Sequence, residues 1–219
     1  MKPLLYIFSI IVLFTACQDD PGKILASSDD PHEIKKALHQ LGQDTTKAAP
    51  EGLKEGTQAP YFAATDQEAR PISLSNLTKE GKVVLFFYRG YWCSICNRYL
   101  SDFQDSLSLI TATGANVVAV APETASYQER TILKNNLKIT VISDTKQTIM
   151  NQYKVAFDVN KKYEKRIGID LKEVNGGAAV LPVPATYIIG EDGNIIKTFF
   201  NPVFSKRPSI KEIVAVLEQ

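Results

Sequence analysis

Val83-Val84-Leu85-Phe86-Phe87 is an unbroken run of apolar β-formers, and a second such run occupies 117–121. Neither shows the polar alternation of a half-exposed strand, so each reads as a strand buried on both faces, of the kind that parallel sheets contain. Between them Leu100, Phe103, Leu107 and Ile110 recur at spacings of three and four, which predicts an amphipathic helix over 94–111. Strand, helix and strand make a βαβ unit and place the chain in the α/β class. A second crossover follows, with a helix over 124–136, a short strand at 140–142 and a helix over 145–153 opened by Ser143-Asp144. Residues 154–181 are rich in lysine and glycine without a clean period; they read as a surface excursion with one short helix, ending at Pro182. Runs at 186–189 and 195–199, joined through Asp192-Gly193, predict a β-hairpin, and Ile210, Ile213, Val214 and Leu217 mark a closing helix.

Composition narrows the chemistry. With 44% hydrophobic and 22% charged residues, the 219-residue chain has the make-up of an ordinary globular domain with a short appendage. A net charge of +1 offers no basic excess against a phosphate backbone, which sets nucleic acid aside as a partner. Both histidines, His32 and His39, precede the stretch that reads as the folded core, so that core can hold no Ser-His-Asp triad, Cys-His dyad or histidine-ligated metal. Neither a metal nor any other cofactor is implied, since no glycine-rich phosphate loop of standard spacing occurs. Three cysteines remain.

Two of them, Cys93 and Cys96, stand where the strand Val83–Phe87 passes through Tyr88-Arg89-Gly90-Tyr91-Trp92 into the predicted helix. Free N–H groups and the positive end of the helix dipole favour a thiolate at the first cysteine, lowering its pKa from about 8.5 toward 7 or below. Three-residue spacing brings Cys96 within bonding distance of Cys93, so a sulfur attached to Cys93 can be displaced from within the molecule. A zinc half-site would need a second CxxC or a core histidine. An inert disulfide would close too small a loop to restrict the unfolded chain much.

At these residues the chain resembles the peroxiredoxin-like branch of the alkyl hydroperoxide reductase and thiol-specific antioxidant family. The matching segments are Gly56-Thr57-Gln58-Ala59-Pro60-Tyr61-Phe62, Leu74-Ser75-Asn76-Leu77, Phe87-Tyr88-Arg89-Gly90-Tyr91-Trp92-Cys93-Ser94-Ile95-Cys96-Asn97 and Pro182-Val183-Pro184-Ala185-Thr186-Tyr187. The resemblance implies a thioredoxin-like fold with a central mixed sheet flanked by helices, Cys93 as the attacking thiol, Cys96 as its resolving partner, and Pro184 as a cis-proline facing the pair. It also departs from the pattern. Typical members carry a proline seven residues and a threonine or serine three residues before the peroxide-reacting cysteine, where this chain has Phe86 and Gly90. Around the motif, Arg89 either raises thiolate character or fixes a peroxide oxygen, or stands solvated at a strand end; Trp92 either shields the sulfur or covers the core edge. Tyr88 and Arg207 are weaker candidates.

The N-terminus reads as a targeting segment: Lys2, an apolar run over 4–14 and small Thr15-Ala16. That run falls short of the roughly 20 residues a spanning helix needs. Phe14-Thr15-Ala16-Cys17 resembles a bacterial lipoprotein signal, which implies lipidation at Cys17 and attachment to the cell envelope, facing the periplasm or the cell surface. The expected division is a signal peptide at 1–16, a tether at 17–55 with one short helix around Ile34, Leu38 and Leu41, and a thioredoxin-fold domain at 56–219. Three functions compete: reduction of hydroperoxides through a Cys93/Cys96 dithiol cycle reset by a thioredoxin-like external reductant, thiol-disulfide exchange with exported proteins, and a non-catalytic scaffold.

Overall fold

Strands with no polar face must be covered on both sides, and the architecture follows from that demand. The computed structural model describes residues 30–219; the signal segment and Cys17 lie outside them. In chain order the elements are α1 (Pro31–Leu41), β1 (Ala63–Thr65), β2 (Pro71–Ser73), α2 (Leu74–Glu80), β3 (Val83–Phe87), α3 (Ser94–Asp105) and α4 (Leu107–Thr111). Then come β4 (Asn116–Ala121), α5 (Ala125–Asn135), β5 (Thr140–Ser143), α6 (Thr148–Gln152), β6 (Ala156–Asp158), α7 (Lys161–Ile167), α8 (Leu171–Val174), β7 (Val180–Pro182), β8 (Ala185–Ile189), β9 (Ile195–Phe200) and α9 (Ile210–Leu217).

The central sheet has the order β5-β4-β3-β8-β9, with β3, β4 and β5 parallel and β8 and β9 antiparallel to their neighbours. Strand alternation divides its side chains between two cores. Val83, Leu85, Phe87, Val118, Val120, Tyr187 and Ile189 face one cluster, closed by Leu74 and Leu77 of α2 and by Ile149 and Met150 of α6. Val84, Phe86, Ala119, Ala121, Val141 and Ile188 face the other, closed by Leu100 and Phe103 of α3, Ile110 of α4 and Ile213 of α9. Cys93 and Cys96 belong to this second cluster.

Three expectations are revised. The helix over 94–111 is broken at Ser106, where φ −105° and ψ 7° leave the helical region. Serine holds a helix interior poorly, and the bend lets α4 pack against α9. Residues 154–181 are an integral layer: β6 and β7 pair antiparallel, and Phe157, Tyr163, Leu171 and Leu181 are buried. Their period is hidden because the elements are short and the charges of α7 occupy its outer face. The partner of this layer is the segment expected as a tether. Leu38 and Leu41 of α1 join Phe157, Val159, Tyr163, Leu171, Leu181 and Val183 in a third core. His32 and His39 stay exposed on its outside.

Local chemistry sets the ends of α1. Asp30 caps it by accepting from the His32 N–H at 2.9 Å, and Gly42 terminates it in the left-handed region at φ +89°. Asn160, at the start of α7, donates to the carbonyls of Gly42 (2.8 Å) and Gln43 (3.0 Å), pinning the two segments together. A Cβ at Gly42 would fall inside the Tyr163 ring. Gly56 has a similar φ of +78° but faces open space. Gly56→Ala is therefore expected to cost about 1 kcal/mol from backbone conformation alone, and Gly42→Ala about 2–4 kcal/mol because packing is lost as well. Urea unfolding followed by the fluorescence of Trp92, the single tryptophan, measures both.

Candidate active site

β3 delivers the chain to the site at its carboxyl end. Tyr88 continues the strand by donating its N–H to Val120 at 3.1 Å, and the chain then turns through Gly90 so that the Cys93 N–H meets the Gly90 carbonyl at 3.1 Å. Gly90 adopts φ +136°, and a Cβ there would lie 2.9 Å from Glu123 Oε2 and 3.0 Å from Trp92 Nε1. No side chain fits, which accounts for the absence of a hydroxyl residue three positions before Cys93.

Glu123, fully buried just beyond β4, holds this turn. Its Oε2 accepts the Tyr91 N–H at 2.8 Å, while Oε1 accepts the Tyr88 and Thr131 hydroxyls at 2.9 and 2.8 Å. Below it, Asn97 donates to the Tyr91 carbonyl (2.7 Å) and the Cys93 carbonyl (3.0 Å), and Asn135 donates to Asn97 Oδ1 at 2.8 Å. Cys93 is thus mounted on a turn whose backbone is fastened at both ends by buried polar groups. Sequence reading missed this network; an acid directly behind an apolar central strand, at the carboxyl end of a parallel sheet, was the available signal.

Cys93 occupies the N-cap of α3 and forms a disulfide with Cys96, the Cα atoms 5.2 Å apart. Cys93 Sγ accepts the Cys96 N–H at 3.2 Å and a guanidinium N–H of Arg89 at 3.1 Å. The other arm of Arg89 donates to the Tyr163 hydroxyl at 2.6 Å, and the guanidinium carbon lies 4.6 Å from the Phe204 ring centre and 5.2 Å from that of Trp92. Arg89 is only 4% exposed, so the solvated alternative is discarded. Burial lowers its pKa from the usual arginine value, but the group remains a cation at neutral pH. Trp92 bridges the second and third cores beside it. Tyr163, from the layer read as an excursion, was not foreseen.

On the far sulfur, Arg207 Nη2 lies 3.3 Å from Cys96 Sγ, while its guanidinium sits 4.9 Å from the Tyr99 ring centre. Among the described residues, neither Arg89 nor Arg207 forms a salt bridge with a carboxylate. The sulfurs themselves are covered, with Cys93 2% and Cys96 0% exposed.

Pro184 departs from expectation. No peptide bond among the described residues is cis, so the Val183-Pro184 bond is trans, the isomer that X-Pro bonds ordinarily favour. The segment between β7 and β8 is buried, and the Val183 N–H is spent on the Val155 carbonyl at 2.8 Å rather than left open to pair with a substrate chain.

A mixed sheet flanked by helices, with a CxxC capping the helix that follows its central strand, defines a thiol-dependent oxidoreductase of the thioredoxin-like class. Residues 56–198 match the AhpC/TSA family, and the chain belongs to it. It is 28% identical over 143 residues to a putative peroxiredoxin of Coxiella burnetii, covering 65% of this chain and 85% of that one. It is also 23% identical over 151 residues to the thiol-disulfide oxidoreductase ResA of Bacillus subtilis, covering 68% and 69%. The crystal structure of peroxidoxin BcpB from Mycobacterium tuberculosis shares the fold with a TM-score of 0.60 at 20% identity, covering 76% of this chain and 97% of that one.

The Glu123 carboxyl is pushed above its ordinary 4.5 because burial outweighs its three donors. A group whose folded pKa is raised stabilises most below its unfolded value, and that contribution is lost as pH rises through the folded value. Glu123→Gln bears a constant cost, since an amide cannot accept from all three donors. Its stability relative to wild type is nevertheless expected to improve as pH rises above 4.5. Urea unfolding of both proteins across a pH series gives that difference; a flat one would mean the carboxyl is not raised.

Proposed function

We propose that the protein reduces hydroperoxides. The observation that carries this reading is the Arg89 guanidinium, buried and braced by Tyr163, with one N–H on Cys93 Sγ. On reduction of the disulfide, that cation, the Cys96 N–H and the helix dipole all favour Cys93 as thiolate. The thiolate attacks the terminal oxygen of the peroxide; the S–O bond forms as the O–O bond breaks, and the leaving oxygen takes a proton to become water or an alcohol. Cys93 is then a sulfenic acid. Cys96 attacks it, closing the disulfide and expelling the oxygen as water. Two thiols of an external thioredoxin-like reductant restore the dithiol.

The competing reading is thiol-disulfide exchange with exported proteins, which the CxxC, Gly90 in place of a hydroxyl residue and the likeness to ResA favour. Two features favour the smaller substrate. Both sulfurs are covered, and the backbone beside Pro184 has no free N–H at Val183 for an extended polypeptide.

Hydrogen peroxide added to reduced Cys96→Ser protein is expected to leave a trappable sulfenic acid at Cys93, faster than free cysteine reacts at the same pH. Lowering a thiol pKa from about 8.5 to about 7 raises the thiolate share at neutral pH from a few per cent to about half. Arg89→Met should return the reaction to near the free-thiol rate, whereas reaction with disulfides but not peroxide would select exchange.

We further propose, from the sequence of the first 17 residues, that the protein is exported and held at the cell envelope by lipid on Cys17. One acyl chain anchors only marginally, so stable attachment requires more than one. Cells fed a labelled fatty acid should incorporate it into the wild-type chain and not into Cys17→Ser; equal labelling of both would dismiss the anchor.

A further inference from the structure

We propose that Arg207 is a second catalytic cation, acting on the resolving sulfur, so that Cys96 attacks as a thiolate. This rests on the reading above that Cys93 is oxidised first. Cys96 lies in the first turn of α3, fully buried in an apolar cluster. Such burial ordinarily raises a thiol pKa and leaves a poor nucleophile. The backbone N–H of Cys96 gives no help to its own sulfur, because it is directed at Cys93 Sγ. What lies against Cys96 Sγ is Arg207 Nη2, at 3.3 Å.

Arg207 is aimed there by its surroundings. It belongs to the link between β9 and α9, packs over the Tyr99 ring, and donates from Nε to the Phe204 carbonyl at 3.4 Å. Pro208, buried directly after it, and the capping box of Ser209 with Glu212 fix the chain as it enters α9. The Glu212 carboxylate is taken up by the Ser209 N–H and hydroxyl, both at 2.7 Å, and so is not directed at Arg207. A cavity of about 390 Å³ reaches Arg207 from solvent, with Arg98 and Asp102 of α3 on its wall.

Charge balance points the same way. In the disulfide both sulfurs are neutral, and two guanidinia stand against them without a carboxylate. Reduction to two thiolates supplies one anion for each cation. Two thiolates side by side would otherwise repel, which is why a single cation serves only one cysteine of a pair. In the second step Cys96 thiolate attacks Cys93 sulfenic acid; the S–S bond forms, the S–O bond breaks, and the hydroxide that leaves takes one proton from a buffer acid in solution to become water. No proton has to be removed from Cys96 at that moment.

Around Cys96 the other charged or titratable groups are Cys93, Arg89 and Tyr99, with Glu212, Arg98 and Asp102 further out. Burial pushes Tyr99 up to about 12, so it stays neutral while a thiol titrates. Burial likewise lowers Arg207 to about 10, which leaves it charged at neutral pH.

The test follows hydrogen peroxide oxidation of the full chain by stopped flow, separating sulfenic acid formation from disulfide closure. Arg207→Gln is expected to slow closure about fiftyfold at neutral pH, corresponding to a rise of about two pKa units at Cys96. The deficit should shrink as pH rises and Cys96 ionises without help, and Arg207→Lys should recover part of the rate. A deficit equal at every pH, or closure at the wild-type rate, overturns the proposal. Ultraviolet absorbance of the reduced proteins provides a reading that needs no peroxide: near pH 8, about two thiolates in wild type and about one in Arg207→Gln. If the thiolate count falls as expected but no sulfenic acid ever forms, the peroxidase reading fails while the Arg207 assignment stands. An unchanged count refutes the assignment alone.

Discussion

A guanidinium buried against a sulfur is the contact on which this site depends. Taking a cation out of water costs several kcal/mol unless its hydrogen bonds are replaced, and Arg89 has no carboxylate to replace them. Its compensation comes from the Tyr163 hydroxyl, Cys93 Sγ, and the faces of Phe204 and Trp92. Tyr163 holds its place because Asn160 ties the start of α7 to the end of α1 and because Gly42 leaves room for the ring. Residues 30–55, which lie outside the segment that matches the family, thereby support the cation next to the reacting sulfur.

The buried acid and the buried base of the site are kept apart and serve different atoms. Glu123 accepts hydrogen bonds from Tyr88, Thr131 and Tyr91 and makes no salt bridge with Arg89. Had the two paired, the guanidinium would have been neutralised and its influence on Cys93 lost. Instead Glu123 shapes the backbone that carries the cysteine, and Gly90 is the consequence: the carboxylate occupies the space in which a Cβ would stand.

What could be read from the sequence follows the reach of its interactions. The parallel strands, the crossovers, the terminal hairpin and the CxxC at the helix start are set by local patterns of apolar residues and turn formers, and these were legible. Arg89 and Trp92 were visible as candidates because they adjoin the cysteines. Tyr163, Glu123 and the aim of Arg207 were not, because each acts across 30 residues or more of chain: 74 between Arg89 and Tyr163, 111 between Cys96 and Arg207. The layer built from α1 and 154–181 escaped for a related reason. Its apolar side chains are divided between a short helical stripe at Ile34, Leu38 and Leu41, which alone has nothing to pack on, and a second segment too broken to show a period, and they form a core only when combined. Pro184 illustrates the converse, a residue whose role was carried over by likeness, while its backbone neighbour Val183 already had a partner in Val155.

The same covering that protects the pair also selects what reaches it. Phe204 and Arg207 belong to the irregular link between β9 and α9; Phe204 lies over the Arg89 guanidinium, Arg207 lies against Cys96 Sγ, and Trp92 and Tyr99 pack against the cluster that holds both cysteines. A hydroperoxide needs space for two oxygens in line with a thiolate, whereas a protein disulfide must present its own sulfur together with flanking backbone. The oxidised site offers no such backbone berth at Val183. Water exclusion also strengthens each guanidinium–sulfur interaction, since the same charges act on one another more strongly in a low-dielectric surrounding than in solvent. Covering the sulfurs and charging them are therefore linked requirements: burial this deep disfavours the thiolate form of each cysteine, and the two arginines oppose it.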